Sequence, residues 1–200
     1  MGKLVLVENL SLDGVMQAPG RPDEDTRGGF GQGGWAFAWL GEDPEAMEAS
    51  MAGDAPGALL LGRRTYEDLV GFWLSPAAGD NPFADLLRHT PKHVVSGVSP
   101  ALEHPASHLL HAPDEAALVE GVRTLVAATE GEVVVLGSGM LARALLAADL
   151  VDELVLTIIP VVLGSGARLF DGDGTRVRLA ATSTYTSPRG AVVGHYVVQR

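Results

Sequence analysis

The 200-residue chain contains no cysteine, which excludes disulfide bonds and thiolate-held metal sites; nothing in it requires an oxidising compartment. Positive charge is scarce. Lys3 and Lys92 are the only lysines, and 14 basic residues face 25 acidic ones, for a formal charge of −11. A nucleic-acid binder needs a basic face to displace counterions, so no nucleic-acid partner is expected. An anionic ligand would need a local arginine cluster or a set of backbone N–H groups. The sequence also lacks a run of about 18 apolar residues, the length needed to cross a bilayer. Its apolar start, Leu4 to Val7, is broken at once by Glu8 and Asn9, so neither a signal peptide nor a membrane partner is expected. These absences predict a cytoplasmic protein. At this length, one domain over residues 1–200 is the expectation, with a core large enough to need no covalent support.

What is present alternates between short apolar runs and helical patterns. Leu4 to Val7, Ala58 to Leu61, Val94-Val95, Glu132 to Leu136 and Val151 to Val162 read as strands. Asp43-Pro44-Glu45 and Pro113-Asp114-Glu115 read as helix starts, and Arg63 to Gly71 as a helix. Leu118, Val122, Leu125 and Val126 fall at helical spacing. Arg178 to Thr186 and Ala191 to Val198 read as a hairpin turning at Ser187-Pro188-Arg189-Gly190. Gly14 to Gly34, rich in glycine and proline, reads as a long loop of the kind that serves as a lid or stays disordered. The pattern predicts an α/β fold: a mostly parallel sheet with flanking helices and a C-terminal antiparallel hairpin.

Two strand-to-helix junctions carry chemistry. In Leu61-Gly62-Arg63-Arg64-Thr65 and in Leu136-Gly137-Ser138-Gly139-Met140-Leu141, a buried strand ends in glycine and a helix begins. A helix N-terminus offers unbonded N–H groups and the positive end of the helix dipole, and glycine lets a phosphate approach the backbone. Two adjacent arginines at one such start are a local exception in an acidic chain. Neither junction is a Rossmann fingerprint, because the second lacks its third glycine.

The series of segments Asn9-Leu10-Ser11-Leu12-Asp13-Gly14, Leu60-Leu61-Gly62-Arg63-Arg64-Thr65-Tyr66-Glu67, Val135-Leu136-Gly137-Ser138-Gly139, Leu150-Val151-Asp152-Glu153-Leu154 and Pro160-Val161-Val162-Leu163-Gly164-Ser165-Gly166 resembles the dihydrofolate reductase superfamily. It is most similar to the branch holding the reductase domain of riboflavin-biosynthesis proteins, the RibD C-terminal domain, as a small stand-alone member. The resemblance implies a dihydrofolate reductase-like fold and an oxidoreductase that uses NADPH on a planar heterocycle, related to 5-amino-6-(5-phosphoribosylamino)uracil reductase. It implies that Gly62, Arg63, Arg64 and Thr65 hold phosphates and that Ser96 lies near the adenosine ribose and its 2′-phosphate. Gly137, Ser138, Gly139, Met140 and Leu141 would wrap the pyrophosphate and nicotinamide side. It also suggests a homodimer.

The chain departs from that branch on the substrate side. Val15 stands where the riboflavin-pathway enzymes typically carry a lysine, and Leu136 where they carry a glutamate. Both departures point away from a phosphorylated substrate. Asp13 is the candidate catalytic residue, its alternative being a turn-forming Asp-Gly pair. Gln17 and Trp35 are candidate substrate contacts, with core packing as the alternative for Trp35. Asp43, Glu45 and Glu48 are expected at the surface. His104, His108 and His111 have no carboxylate partner, and no metal is expected. The alternative functions are an NADPH-binding module without catalysis and a flavin-binding protein.

Overall fold

The computed structural model describes residues 2–50, 55–79, 81–171 and 176–200. Among the described residues, eight strands are connected by six α-helices: β1 (Lys3–Ser11), α1 (Trp35–Leu40), α2 (Pro44–Ser50), β2 (Ala58–Gly62), α3 (Arg63–Trp73), α4 (Pro82–His89), β3 (Lys92–Ser96), β4 (Ser107–His111), α5 (Glu115–Ala128), β5 (Glu132–Leu136), α6 (Gly139–Ala147), β6 (Glu153–Ile159), β7 (Arg178–Thr186) and β8 (Val192–Gln199). The strand order is β4-β3-β2-β5-β1-β6-β8-β7. This is the mixed, mostly parallel sheet with a terminal antiparallel hairpin that the alternation of elements predicts. The chain forms two compact units, Met1–Val5 with Asp54–Leu150, and Leu6–Gly53 with Val151–Arg200. Among the described residues no helix is long and apolar enough to cross a membrane.

In the first unit, β2 pairs in parallel with β3 on one side and β5 on the other, and β3 pairs in parallel with β4. Ala58 to Leu61 and Val133 to Val135 are buried throughout. That is the signature of parallel strands covered on both faces rather than of an alternating, half-wet strand. Two elements escape the sequence reading. The eight-residue α4 is short and begins at Pro82, with Asn81 as its cap accepting from the Ala84 N–H at 2.9 Å. β4 is an edge strand of mixed polarity, with His108 beside His93 and ring centroids 5.3 Å apart. Lys92 is wholly buried. Its Nζ donates to the carbonyls of Leu87 at 2.6 Å and Thr90 at 2.9 Å, satisfying the end of α4, and burial pushes its pKa down.

In the second unit, β8 lies between β6 and β7, antiparallel to both. The hairpin turns at the expected Ser187 to Gly190, closed by the Gly190 N–H to Ser187 carbonyl bond at 2.9 Å. β6 is shorter than the expected Val151 to Val162. Pro160 supplies no donor, and the Val161 N–H turns back to the Ile159 carbonyl at 2.8 Å. Helices α1 and α2 pack Ala36, Leu40 and Ala46 against Ile159 and Ala191, with Trp35, Trp39, Met47 and Val161 around them. Asp43, expected at the surface, is 2% exposed. It accepts from the Ala46 N–H at 3.2 Å as the cap of α2 and from the Ser187 hydroxyl. A turn serine presented by the hairpin draws it inside, and sequence proximity gives no hint of that partner.

Gly166 is required by this packing. Its φ is +108°, and a Cβ there would stand 2.8 Å from both Phe30 and Val15. Gly166→Ala should therefore lower stability by about 2 kcal/mol or more, combining backbone strain with overpacking. Gly71→Ala on α3, where a Cβ meets nothing within 4 Å, should raise it by about 0.5–1 kcal/mol. Urea denaturation of both variants against the parent checks the pair; equal midpoints would contradict it.

Candidate functional site

The first unit brings the carboxyl ends of three parallel strands into a row. Leu60 lies in register with Val135, and Gly62 with Val95. Gly62, Gly137 and Ser96 therefore end adjacent strands at one level, with α3 and α6 starting from two of them. The two junctions are joined directly. Ser138 Oγ accepts from the Gly62 N–H at 2.9 Å and donates to the Leu136 carbonyl at 3.2 Å. A Cβ on Gly137 would stand 3.6 Å from Thr65 Cγ2. Ser138 holds φ 65° and ψ 50°, a left-handed conformation unusual for a residue with a Cβ. That conformation directs its hydroxyl back to β2.

The starts of these two helices differ from those of α2, α4 and α5, and from α1, whose Ala36 and Phe37 N–H groups are taken by the Pro19 carbonyl. Asp114 caps α5 by accepting from the Ala117 N–H at 2.8 Å, and Asn81 and Asp43 cap α4 and α2 in the same manner. Neither Gly62 nor Ser138 places a side chain on the first turn of α3 or α6. The first-turn N–H groups there are left for an outside acceptor. Arg63 is engaged with Glu67 at 3.0 Å. Arg64 is exposed and forms no ion pair among the described residues. Ser96 Oγ accepts from the Val98 N–H at 3.2 Å and shapes the turn after β3. Met140 is 72% exposed at the start of α6, whereas Leu141 is buried in the core and can offer a ligand only its backbone.

The second unit holds Asp13, Gln17 and Trp35, all within the segment that follows β1. Both Asp13 carboxylate oxygens are engaged. Oδ1 accepts from the Ser11 hydroxyl at 2.7 Å and the Leu163 N–H at 3.1 Å; Oδ2 accepts from the Gly164 N–H at 2.9 Å and from Arg168 at 3.3 Å. The Ser11 hydroxyl first, then the backbone donors, hold its pKa far below the usual carboxylate range. Asp13 thus stays ionised and anchors the loop after β6. Gln17 is equally committed. Its Nε2 donates to the carbonyls of Asp25 and Arg27, and its Oε1 accepts from the Ala167 N–H at 2.9 Å. Trp35 donates from Nε1 to the Gln17 carbonyl at 2.9 Å and packs on both apolar clusters of the unit. The long Gly14–Gly34 segment is thereby tied down at several points rather than left open. Sequence reasoning missed Arg168 and the bridging role of Ser138. Arg168 lies 155 residues from its partner Asp13, a separation no local pattern bridges. Among the described residues no group of three metal-ligating side chains occurs.

Two expectations follow. Ser138→Ala keeps the left-handed backbone strain and strips the Gly62 N–H of its acceptor, so it should cost about 1–3 kcal/mol. Ser138→Gly removes the strain along with the bond and should cost less; urea midpoints in the reverse order would overturn this account of the junction. For Asp13 the depressed pKa means its contribution is complete above the unfolded carboxylate pKa of about 4 and fades as pH falls through the lower folded value. Asp13→Asn should therefore be less stable than the parent at pH 7, with the gap closing in strong acid; a gap independent of pH would exclude the anchor role.

Comparison with known proteins agrees with this architecture. Among solved structures, a candidate riboflavin-biosynthesis protein of Shewanella sp. PV-4 superposes with a TM-score of 0.65 at 20% identity, covering 100% of both chains. The Enterococcus faecalis dihydrofolate reductase complexed with NADP(H) and RAB-propyl gives a TM-score of 0.58 at 16% identity, covering 100% of this chain and 98% of that one. A pyrimidine reductase-like protein of Corynebacterium diphtheriae gives 0.55 at 14%, covering 100% and 92%. At these identities the likeness establishes the dihydrofolate reductase-like fold. No curated protein sequence matches the chain. The model of the RibD C-terminal domain matches residues 3–193, nearly the full length, and the chain belongs to that family.

Proposed function

We propose that the chain is an NADPH-dependent reductase of a planar heterocycle. The observation that carries this reading is the pair of uncapped helix starts, locked side by side by the Ser138 to Gly62 bond, in a chain otherwise poor in positive charge. The residues fit a dinucleotide. Gly62 and Gly137 leave the backbone bare, first-turn N–H groups of α3 and α6 suit the phosphates, and Thr65 lies against Gly137. Arg64, without an acidic partner among the described residues, suits the 2′-phosphate, with Ser96 as the neutral residue at the neighbouring strand end; Arg63 is already paired with Glu67. The exposed Met140 side chain suits the face of a flat ring. When bound, the cofactor supplies hydride; this chain's share is to bind and orient it. Membership of the RibD C-terminal family and the NADP(H) bound to the Enterococcus neighbour support the same reading.

On the substrate side, the reading favours an uncharged or weakly polar ring over a phosphorylated pyrimidine. Val15 is wholly buried against Ala18 and Phe30, so the position offers no cation. Arg27 is held by Asp25 and Arg21 lies 3.5 Å from Asp23, which leaves neither as a ready substitute. Asp13 serves as the anchor of the loop rather than as a proton donor, since a carboxylate with this many donors stays ionised.

NADPH should quench tryptophan fluorescence with a Kd in the micromolar range, about −8 kcal/mol. Arg64→Ala should weaken NADPH by roughly 1.5–3 kcal/mol, the value of a charged hydrogen bond, and leave NADH nearly unchanged. Arg63→Ala should do less. No quenching at millimolar NADPH would sink the proposal, and an unchanged NADPH/NADH ratio in both variants would remove the phosphate assignment.

A further inference from the structure

Two polar side chains of the second unit, one half-buried and one buried, fall on neighbouring strands. Asn9 sits half-buried in the middle of β1, between the buried Glu8 and Leu10. Thr157 on β6 is 1% exposed. Neither side chain makes a hydrogen bond among the described residues. β1 and β6 are adjacent in the sheet.

The two side chains share a face. The Leu12 N–H bonds the Val161 carbonyl at 2.8 Å, and one residue on, Asp13 accepts from Leu163 and Gly164. The two segments thus advance together, as parallel neighbours do, and Leu12 lies beside Val162. Ile159 and Val161 both pack on the cluster formed by α1 and α2, so the alternation continues through Pro160. Odd-numbered residues of β6, Thr157 included, therefore face α1 and α2. By the same register the odd-numbered residues of β1 face that side too. Val7 and Asn9 are half-buried there, whereas Leu6, Glu8 and Leu10 on the opposite face are fully buried. The helices cover β6 but leave the middle of β1 partly open, and an amide lies at that opening.

We infer that Asn9, with Thr157 beside it, is the recognition element for the lactam edge of the ring. This rests on the heterocycle reading above. A carboxamide carries an acceptor and a donor in one plane, matching a cis-amide edge with two parallel hydrogen bonds. A hydroxyl next to it takes a further ring heteroatom as donor or acceptor. A site built to hydrogen-bond a ring N–H discriminates strongly against an analogue that lacks it. An uncharged amide also agrees with the absence of a cation at Val15: the selected ring is neutral, with adjacent N–H and C=O groups.

The test uses the full chain with NADPH present and two fluorescent probes, 2,4-dioxopteridine and its N3-methyl derivative. The parent protein should bind the unmethylated ring at least tenfold more tightly. Asn9→Leu should abolish that preference while changing the NADPH Kd less than twofold. Asn9→Asp, which replaces the donor with a second acceptor, should shift preference toward 2,4-diaminopteridine, and Thr157→Val should weaken the dioxo ring severalfold. The two aspartate and valine outcomes keep the test decisive if the leucine variant does not fold. Equal binding of both probes by the parent, or an undiminished preference in the variants, overturns the assignment. Ring discrimination without NADPH binding would instead overturn the reductase reading and leave this one standing.

Discussion

The hydrogen bond from the Gly62 N–H to Ser138 Oγ is the constraint on which the candidate phosphate site depends. Parallel strands in register place successive helix starts at one level, but register alone does not hold two loops together. Ser138 does so by adopting a left-handed backbone that turns its hydroxyl toward β2. A serine preceding a helix would ordinarily cap it. Here the hydroxyl is engaged elsewhere, so α6 keeps its first-turn N–H groups unbonded, and the glycine at the start of α3 leaves that helix in the same state. The fastening of the two junctions and the availability of their donors have one cause.

The second unit is organised by anions acting inward. Asp13 gathers donors from Ser11, Leu163, Gly164 and Arg168. Asp43 holds the start of α2 and the hairpin turn through Ser187. Glu24 Oε2 takes the N–H groups of Gly20 and Arg21. In an acidic chain these carboxylates are matched chiefly by backbone amides and hydroxyls, which lets irregular segments hold a fixed shape without a supply of lysine. Gln17 does the same with an uncharged amide. A segment of low periodicity becomes a positioned wall because its backbone turns are pinned at Asp13, Gln17 and Glu24 by side-chain hydrogen bonds.

The strands of the parallel core were legible because unbroken apolar runs ending in glycine have few other readings: β5 spans the expected Glu132 to Leu136, and β2 starts at the expected Ala58 and runs one residue past Leu61 to Gly62. The hairpin was legible from its turn residues. β4 and α4 were not, since an edge strand with Ser107, His108 and His111 lacks the apolar run and α4 lasts only two turns. The roles of Asp13, Gln17 and Asp43 were hidden for a different reason. Residue type and local spacing identify a group that can ionise or bond, but their partners Gly164, Ala167 and Ser187 lie more than a hundred positions away. The glycine and arginine junctions were readable as candidate anion sites because their donors belong to the local backbone. The proposed substrate contact is the reverse case: Asn9 looks unremarkable in the sequence and stands out only once the fold leaves its half-buried amide without a side-chain hydrogen bond among the described residues.

The departure at Val15 is built into the packing rather than laid on the surface. Its side chain fills the space between Ala18 and Phe30, and the absence of a Cβ at Gly166 is what gives that side chain room. A lysine there would have to bury an ammonium group in an apolar cluster or push Phe30 aside, and an unpaired buried charge is far more costly than a lost apolar contact. Restoring the charge that the riboflavin-pathway pattern places at this position therefore takes more than one substitution, because Phe30, Gly166 and the loop anchored by Asp13 are fitted to valine. The proposed preference for a neutral ring would in this sense be a property of the second unit's core, and Asn9, at the half-open face of β1, would meet such a ring with an uncharged partner.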